Sequence, residues 1–110
     1  MTVEIKETLV VRNREEWRKW LAKHHADKKE IWLVYYRKAS GKTGVTYDQS
    51  VEEALCYGWI DGIRRFTPRK SKSNWSDSNV ERVRRLISTR KMAAPGLAIL
   101  PAEVRKKIRA

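Results

Sequence analysis

The segment Ile31-Trp-Leu-Val-Tyr-Tyr36 constrains the fold more than any other stretch of the chain. Six consecutive β-branched and aromatic residues match the length of a strand, and apolarity on both faces predicts a central strand covered on both sides. The segments around it carry a different period. Upstream, Trp17, Trp20, Leu21 and His24 recur at i, i+3, i+4 and i+7 and predict one face of a helix running to about Asp27. Asn13 is placed to cap that helix, with Glu16 at the third position as in a capping box. Downstream, Thr46 and Gln49 form a second capping-box pair, and Tyr47, Val51, Ala54 and Leu55 make a second stripe. Gly58 follows as a natural C′ residue.

The remaining segments are shorter. Val3 to Val11 alternates partly, which suits a half-buried or edge strand. In Trp59 to Phe66 the Asp61-Gly62 pair is a turn signal, predicting a tight hairpin or a turn entering a strand. Thr67 to Asn74 is polar, basic and contains proline, and is expected to be a loop. Ser76 or Asp77 can cap a third helix with Val80, Val83 and Ile87 on its stripe and Leu86 beside them. Ala94-Pro95-Gly96 is expected to break the chain, and Leu97 to Ile108 to form a short final helix interrupted or restarted at Pro101. The expected fold is α+β, a small sheet of about three strands packed against three to four helices, as a single domain over residues 1–110.

Charge is segregated. The formal net charge is +12, but residues 1–63 hold 11 Lys/Arg against 10 Asp/Glu, whereas residues 64–110 hold 14 against 3. A segregated field of this kind attracts polyanions. Between Arg64 and Lys91 there are ten basic and two acidic residues. Arg64, Arg65, Arg69, Lys70 and Lys72 surround Phe66 and precede Trp75, and the third helix adds Arg82, Arg84, Arg85 and Arg90. Arginines grip phosphates and carboxylates as forks, and aromatics can stack on unpaired bases. Against that, Phe66 and Trp75 flank element boundaries and are better read as core anchors.

The motifs Glu53-Ala-Leu-Cys-Tyr-Gly-Trp-Ile-Asp-Gly62, Arg65-Phe-Thr-Pro-Arg-Lys70, Trp75-Ser76, Asn79, Arg82-Val83, Lys91-Met92 and Pro95-Gly-Leu97 follow one another in order. With Trp17-Arg-Lys-Trp-Leu21, His24-His25 and Ile31-Trp-Leu-Val34, they resemble the YdeI/OmpD-associated family, also labelled bacteriocin-protection proteins, over roughly residues 9–98. The resemblance implies a role in envelope stress or antimicrobial resistance through association with a porin, and it does not imply a reaction. The chain departs from that family in joining its two central motifs directly through Gly62–Phe66, where members usually carry about ten more residues. It also ends at Ala110, without the C-terminal helical segment of longer members.

Candidate chemistry is sparse. Cys56 sits late in a helix, where the dipole disfavours a thiolate, and as the single cysteine it excludes an internal disulfide framework. His24 is expected to pack and His25 to face solvent. Glu52 and Glu53 resemble a solvated helix face more than an acid/base pair. A pocket near Trp59, Asp61 and Arg69, with Phe66 and Trp75 beside it, is the one place where a reaction could be housed, although Asp61 is better read as a turn residue. No zinc spacing is present, and no metal or cofactor is expected. No apolar run reaches the ~18 residues of a membrane span, and the charged N-terminus is unlike a signal peptide, which together favour the cytoplasm. The expected function is a non-enzymatic accessory domain that binds an acidic protein or other polyanion through the Arg64–Arg90 face. Nucleic-acid binding by the same face is the first alternative, and an enzyme using the Trp59/Asp61/Arg69 pocket the second.

Overall fold

The structure, a computed structural model, describes residues 7–36, 41, 44–62, 65–69 and 75–109. Its elements run β1 (Thr8–Leu9), α1 (Arg14–His24), β2 (Ile31–Leu33), α2 (Tyr47–Cys56), β3 (Trp59–Gly62), β4 (Arg65–Pro68), α3 (Asp77–Ser88), α4 (Ala94–Ala98) and α5 (Ala102–Arg109). The fold is α+β, with five helices and a four-stranded mixed sheet of order β1-β2-β4-β3 among the described residues. That is one strand and one helix beyond expectation. The extra strand comes from Trp59 to Pro68, which forms a full hairpin with Gly62 opposite Arg65 and Trp59 opposite Pro68. Asp61 and Gly62 therefore belong to β3 and do not make the turn, and Thr67 and Pro68 are strand residues where a loop was expected. The register accounts for the direct connection between the two motifs, since two strands paired this way need no intervening element.

The capping chemistry appears where the sequence puts it. Asn13 accepts from the Glu16 amide at 3.0 Å, Thr46 and Gln49 form a reciprocal box, and Ser76 accepts from the Asn79 amide at 3.1 Å. One detail differs. The Glu16 carboxylate passes the cap and bonds the Arg12 amide at 2.7 Å, because the Arg12 guanidinium also draws it there, at 2.8–3.0 Å. Residue 58 has φ +75°, as a glycine at C′ allows.

β2 is central, parallel to β1 and antiparallel to β4, but it spans three residues of the six-residue apolar run. Beyond Leu33, the Tyr35 hydroxyl bonds Ser50 Oγ at 2.6 Å. Two apolar cores result. The first joins Trp17, Leu21, Ile31, Leu33, Trp59 and Phe66 of α1 and the sheet with Ala54 of α2. The second joins Val51, Leu55 and Cys56 of α2 with Val80, Val83 and Leu86 of α3 and with Leu100 and Val104. α2 is thus apolar on two sides, which explains why it is the most buried helix. Two stripe assignments change: Tyr47 is exposed, and on α3 Leu86 is buried while Ile87 faces out. Ala94-Pro95-Gly96 does not break the chain but opens α4, with proline in the first turn where its missing N–H costs nothing.

A candidate anion-binding cleft between α1, α2 and the end of α3

Among the described residues, most charged side chains of the predicted basic face are drawn to separate partners. Arg64, Lys70 and Lys72 lie outside the described residues. Arg65 is held by Glu30 at 2.6 Å beside β2. Arg69 is buried and its guanidinium lies 4.1 Å over the Trp75 ring, so that stack ties the end of β4 to the start of α3. Arg82 bonds Asn79 and, at 3.1 Å, Asp48. Arg84 bonds the Lys107 carbonyl at 2.6 Å, and Arg85 lies 3.6 Å from Glu52. Four of these arginines thus sit against carboxylates or carbonyls supplied by other elements.

Two of the residues predicted to line a pocket near Asp61 and Arg69 are packed into the core instead. Trp59 and Phe66 are core residues, 1% and 0% exposed, with the Trp59 indole donating to the His25 carbonyl. Phe66 stands edge-on to Trp17. Asp61 pairs with Phe66 in the β3–β4 ladder. On that side Lys29, Arg65, Thr67, Pro68 and Arg69 line a cleft of about 430 Å³.

The charges that do converge come largely from the half of the chain that looks neutral. Arg14 and Arg18, at i and i+4 on α1, share one face of the helix beside the Trp17–Leu21 stripe. Both reach Glu53 of α2. Arg14 Nε donates to Glu53 Oε2 at 2.7 Å, and Arg18 Nη1 donates to Oε1 at 2.8 Å. Arg14 also reaches Glu52 at 3.0 Å. Glu53 is 3% exposed, which corrects its reading as part of a solvated face. A buried carboxylate is costly unless paired and hydrogen-bonded, and two guanidiniums meet that requirement here. Burial is the largest single influence and lowers the pKa of both arginines, but Glu53 and Glu52 around Arg14, and Glu53 and Cys56 around Arg18, together outweigh it and leave each above its ordinary value. The two guanidiniums therefore stay charged and fixed in place.

Arg18 adds a third tie. Its Nη2 donates to the Lys91 carbonyl at 2.6 Å, anchoring the turn that follows α3. That turn brings Arg90 and Lys91 over the Arg14–Glu53–Arg18 network. The result is a cleft of about 250 Å³ lined by Arg14, Glu15, Arg18, Glu53, Arg90 and Lys91. An adjoining cleft of about 340 Å³ shares Arg14 and Lys91 and adds Glu52 and Arg85. What this arrangement can do is hold an anion. Among the described residues no group of His, Cys, Asp and Glu could hold a metal ion, and no helix is long and apolar enough to cross a membrane.

Cys56 lies under the cleft, buried, and burial pushes its thiol above the ordinary range. His24 packs against Trp20 with Nδ1 3.3 Å from Asp27. His25, expected to face solvent, is half-buried against Tyr57 with Nδ1 3.0 Å from the Leu21 carbonyl.

Sequence reasoning placed Arg85 and Arg90 on the site and missed Arg14, Arg18, Glu53 and Lys91. The i, i+4 spacing of the two α1 arginines was the available signal. It became informative only with a buried carboxylate opposite, because two like charges at this spacing on a solvated face only repel each other weakly.

Among comparisons with known proteins, the model of one family, a domain of unknown function (DUF8412), matches residues 9–99. No curated protein and no solved structure matches the chain.

Proposed function

Since the chain belongs to the DUF8412 family, we propose from the site itself that it is a non-enzymatic interaction domain that binds an acidic partner. The observation that carries this is the gathering of Arg14, Arg18, Arg85, Arg90 and Lys91 around two adjoining clefts, where Glu52 and Glu53 are already committed to arginines. Arginine forks suit carboxylate and phosphate groups, and fixing them beforehand reduces the entropy lost on binding. The partner surface is therefore the α1–α3 clefts, not the whole Arg64–Arg90 segment. The resemblance of its motifs to the YdeI/OmpD-associated family points this reading to a partner in envelope-stress or antimicrobial-resistance biology, met in the cytoplasm.

A labelled poly-glutamate peptide, a DNA duplex and a DNA single strand titrated at rising salt test this reading. The peptide is expected to bind at about 50 mM salt and to weaken as screening increases. Replacing Arg85, Arg90 and Lys91 with Gln should weaken it by roughly tenfold or more. Absence of peptide binding at low salt overturns the reading. DNA binding stronger than peptide binding, with a log–log salt slope of roughly 0.7–0.9 per phosphate, reassigns the face to nucleic acid.

A further inference from the structure

The turn after α3 uses an arginine where helix ends favour glycine. Arg90 has φ +61° and, among the described residues, no other non-glycine has a positive φ. The surrounding bonds define the motif. Arg90 N–H donates to Ile87 O at 3.0 Å and Lys91 N–H to Leu86 O at 2.9 Å, the paired bonds of a Schellman cap with residue 90 at C′. Glycine occupies that position without steric cost, whereas a Cβ there is strained. Stability of the fold therefore gives no reason for Arg90. Strained residues of this kind cluster where a side chain is needed in one place. Arg90 lines the 250 Å³ cleft, and among the described residues neither it nor Lys91 pairs with a carboxylate.

From this we infer that the cleft is a site for one phosphate monoester group bound as its dianion; the inference rests on the acidic-partner reading and specifies its chemistry. Charge selects the ligand class. Across this cleft and the one adjoining it, Arg14, Arg18, Arg85, Arg90 and Lys91 stand against Glu15, Glu52 and Glu53, a surplus of two positive charges. A phosphate monoester carries close to two negative charges at neutral pH, with three acceptor oxygens. A carboxylate or a phosphodiester leaves one of the cations unmatched. Glu53 fixes the Arg14 and Arg18 guanidiniums, so the N–H groups they do not spend on Glu53, Glu52 and the Lys91 carbonyl are the donors left for the phosphate oxygens. Size agrees: pockets for drug-sized ligands run to about 300–1,000 Å³, so this smaller cleft suits a single headgroup. That headgroup can belong to a small phosphorylated molecule or to a phosphorylated side chain.

The test is a nitrogen-15 NMR titration of the intact chain, following the Arg14 and Arg18 side-chain N–H and the Arg90 and Lys91 amide resonances. The probes are methyl phosphate, dimethyl phosphate and acetate at one neutral pH. Saturable shifts with methyl phosphate, and affinities roughly tenfold weaker or worse for the two monoanions, are expected. Equal affinity for acetate overturns the inference, as does a failure to saturate. A phosphoserine peptide and its serine and glutamate counterparts then separate the sources. Tighter binding of the phosphopeptide than of methyl phosphate assigns a phosphorylated chain, and equal binding assigns a small molecule. Arg90→Gly supplies an independent arm, because it should raise the urea midpoint of unfolding while weakening methyl phosphate by roughly threefold or more. A lowered midpoint, or unchanged affinity, counts against the role given to Arg90. If poly-glutamate binds and methyl phosphate does not, the acidic-partner reading stands and this inference fails; if neither binds, both fail.

Discussion

Glu53 is the residue on which the site depends. Its carboxylate is buried and each oxygen is taken by a different guanidinium of α1. Removing it leaves two partly buried cations without a counter-charge, and losing one member of a buried pair is far more damaging than never having had the pair. Glu53→Gln keeps the shape and removes the charge. It should destabilise the fold by about 2–4 kcal/mol, read as a lowered urea midpoint at unchanged slope. It should also release Arg14 and Arg18, seen as loss of the slowed exchange of their side-chain N–H protons. A variant as stable as the parent would show that the network is surface decoration. Replacing Glu52, which is more exposed and touches Arg14 and Arg85 at 3.0 and 3.6 Å, should cost much less.

At the scale of elements, α4 lies close against the end of α2. The Ala93 amide donates to the Cys56 carbonyl at 3.1 Å, and Gly96 lies against the same backbone. A Cβ on residue 96 would fall within 2.3–2.6 Å of the Cys56 and Leu55 carbonyl groups, which are backbone and cannot swing aside. Gly96→Ala should therefore push α4 off α2 at a cost of about 1–3 kcal/mol, measurable by chemical denaturation. This is the opposite of the gain expected at a permissive helical glycine. A neutral or stabilising Gly96→Ala would mean that α4 is not seated as described. The contact also explains why Ala94-Pro95-Gly96 resembles a chain break: the residues that look like punctuation are those that let one backbone lie on another. The N-caps were readable because a cap needs only a side-chain oxygen and an amide three residues on. The seat for Gly96 was not, because the partner lies about forty residues away along the chain.

At the scale of the whole molecule, two apolar cores share α2. Ala54 enters the first, and Val51, Leu55 and Cys56 enter the second. A helix common to both should couple them into one cooperative unit. Phe66→Ala in the first core and Leu86→Ala in the second should each cost about 2–5 kcal/mol. In both variants the far-UV and aromatic near-UV signals should still melt together. Separate transitions in either variant would show that the cores unfold independently. The same arrangement decides the electrostatics. α2 carries Glu52 and Glu53 toward α1 and the end of α3, so acidic residues of the neutral half are placed beneath basic residues of both halves.

By itself the sequence determined what depends on neighbours three or four residues apart: the Asn13 and Thr46 caps, a third cap at Ser76 or Asp77, the buried face of α1, the Val80 and Val83 positions of α3, the C′ role of Gly58 and the α+β class. It also determined that positive charge exceeds negative, and roughly where along the chain. Only the tertiary structure decided where that charge acts. Arg65, Arg69, Arg82 and Arg84, adjacent in the predicted basic segment, are dispersed onto Glu30, Trp75, Asp48 and the Lys107 carbonyl. Arg14 and Arg18, with nothing to distinguish them in the chain, are carried to Arg90 and Lys91 by a carboxylate thirty-five or more residues away. The physical reason is range. Capping and amphipathic periodicity are satisfied within one turn of helix, whereas a charge has no fixed sequence distance to its partner and is assigned one only when helices pack.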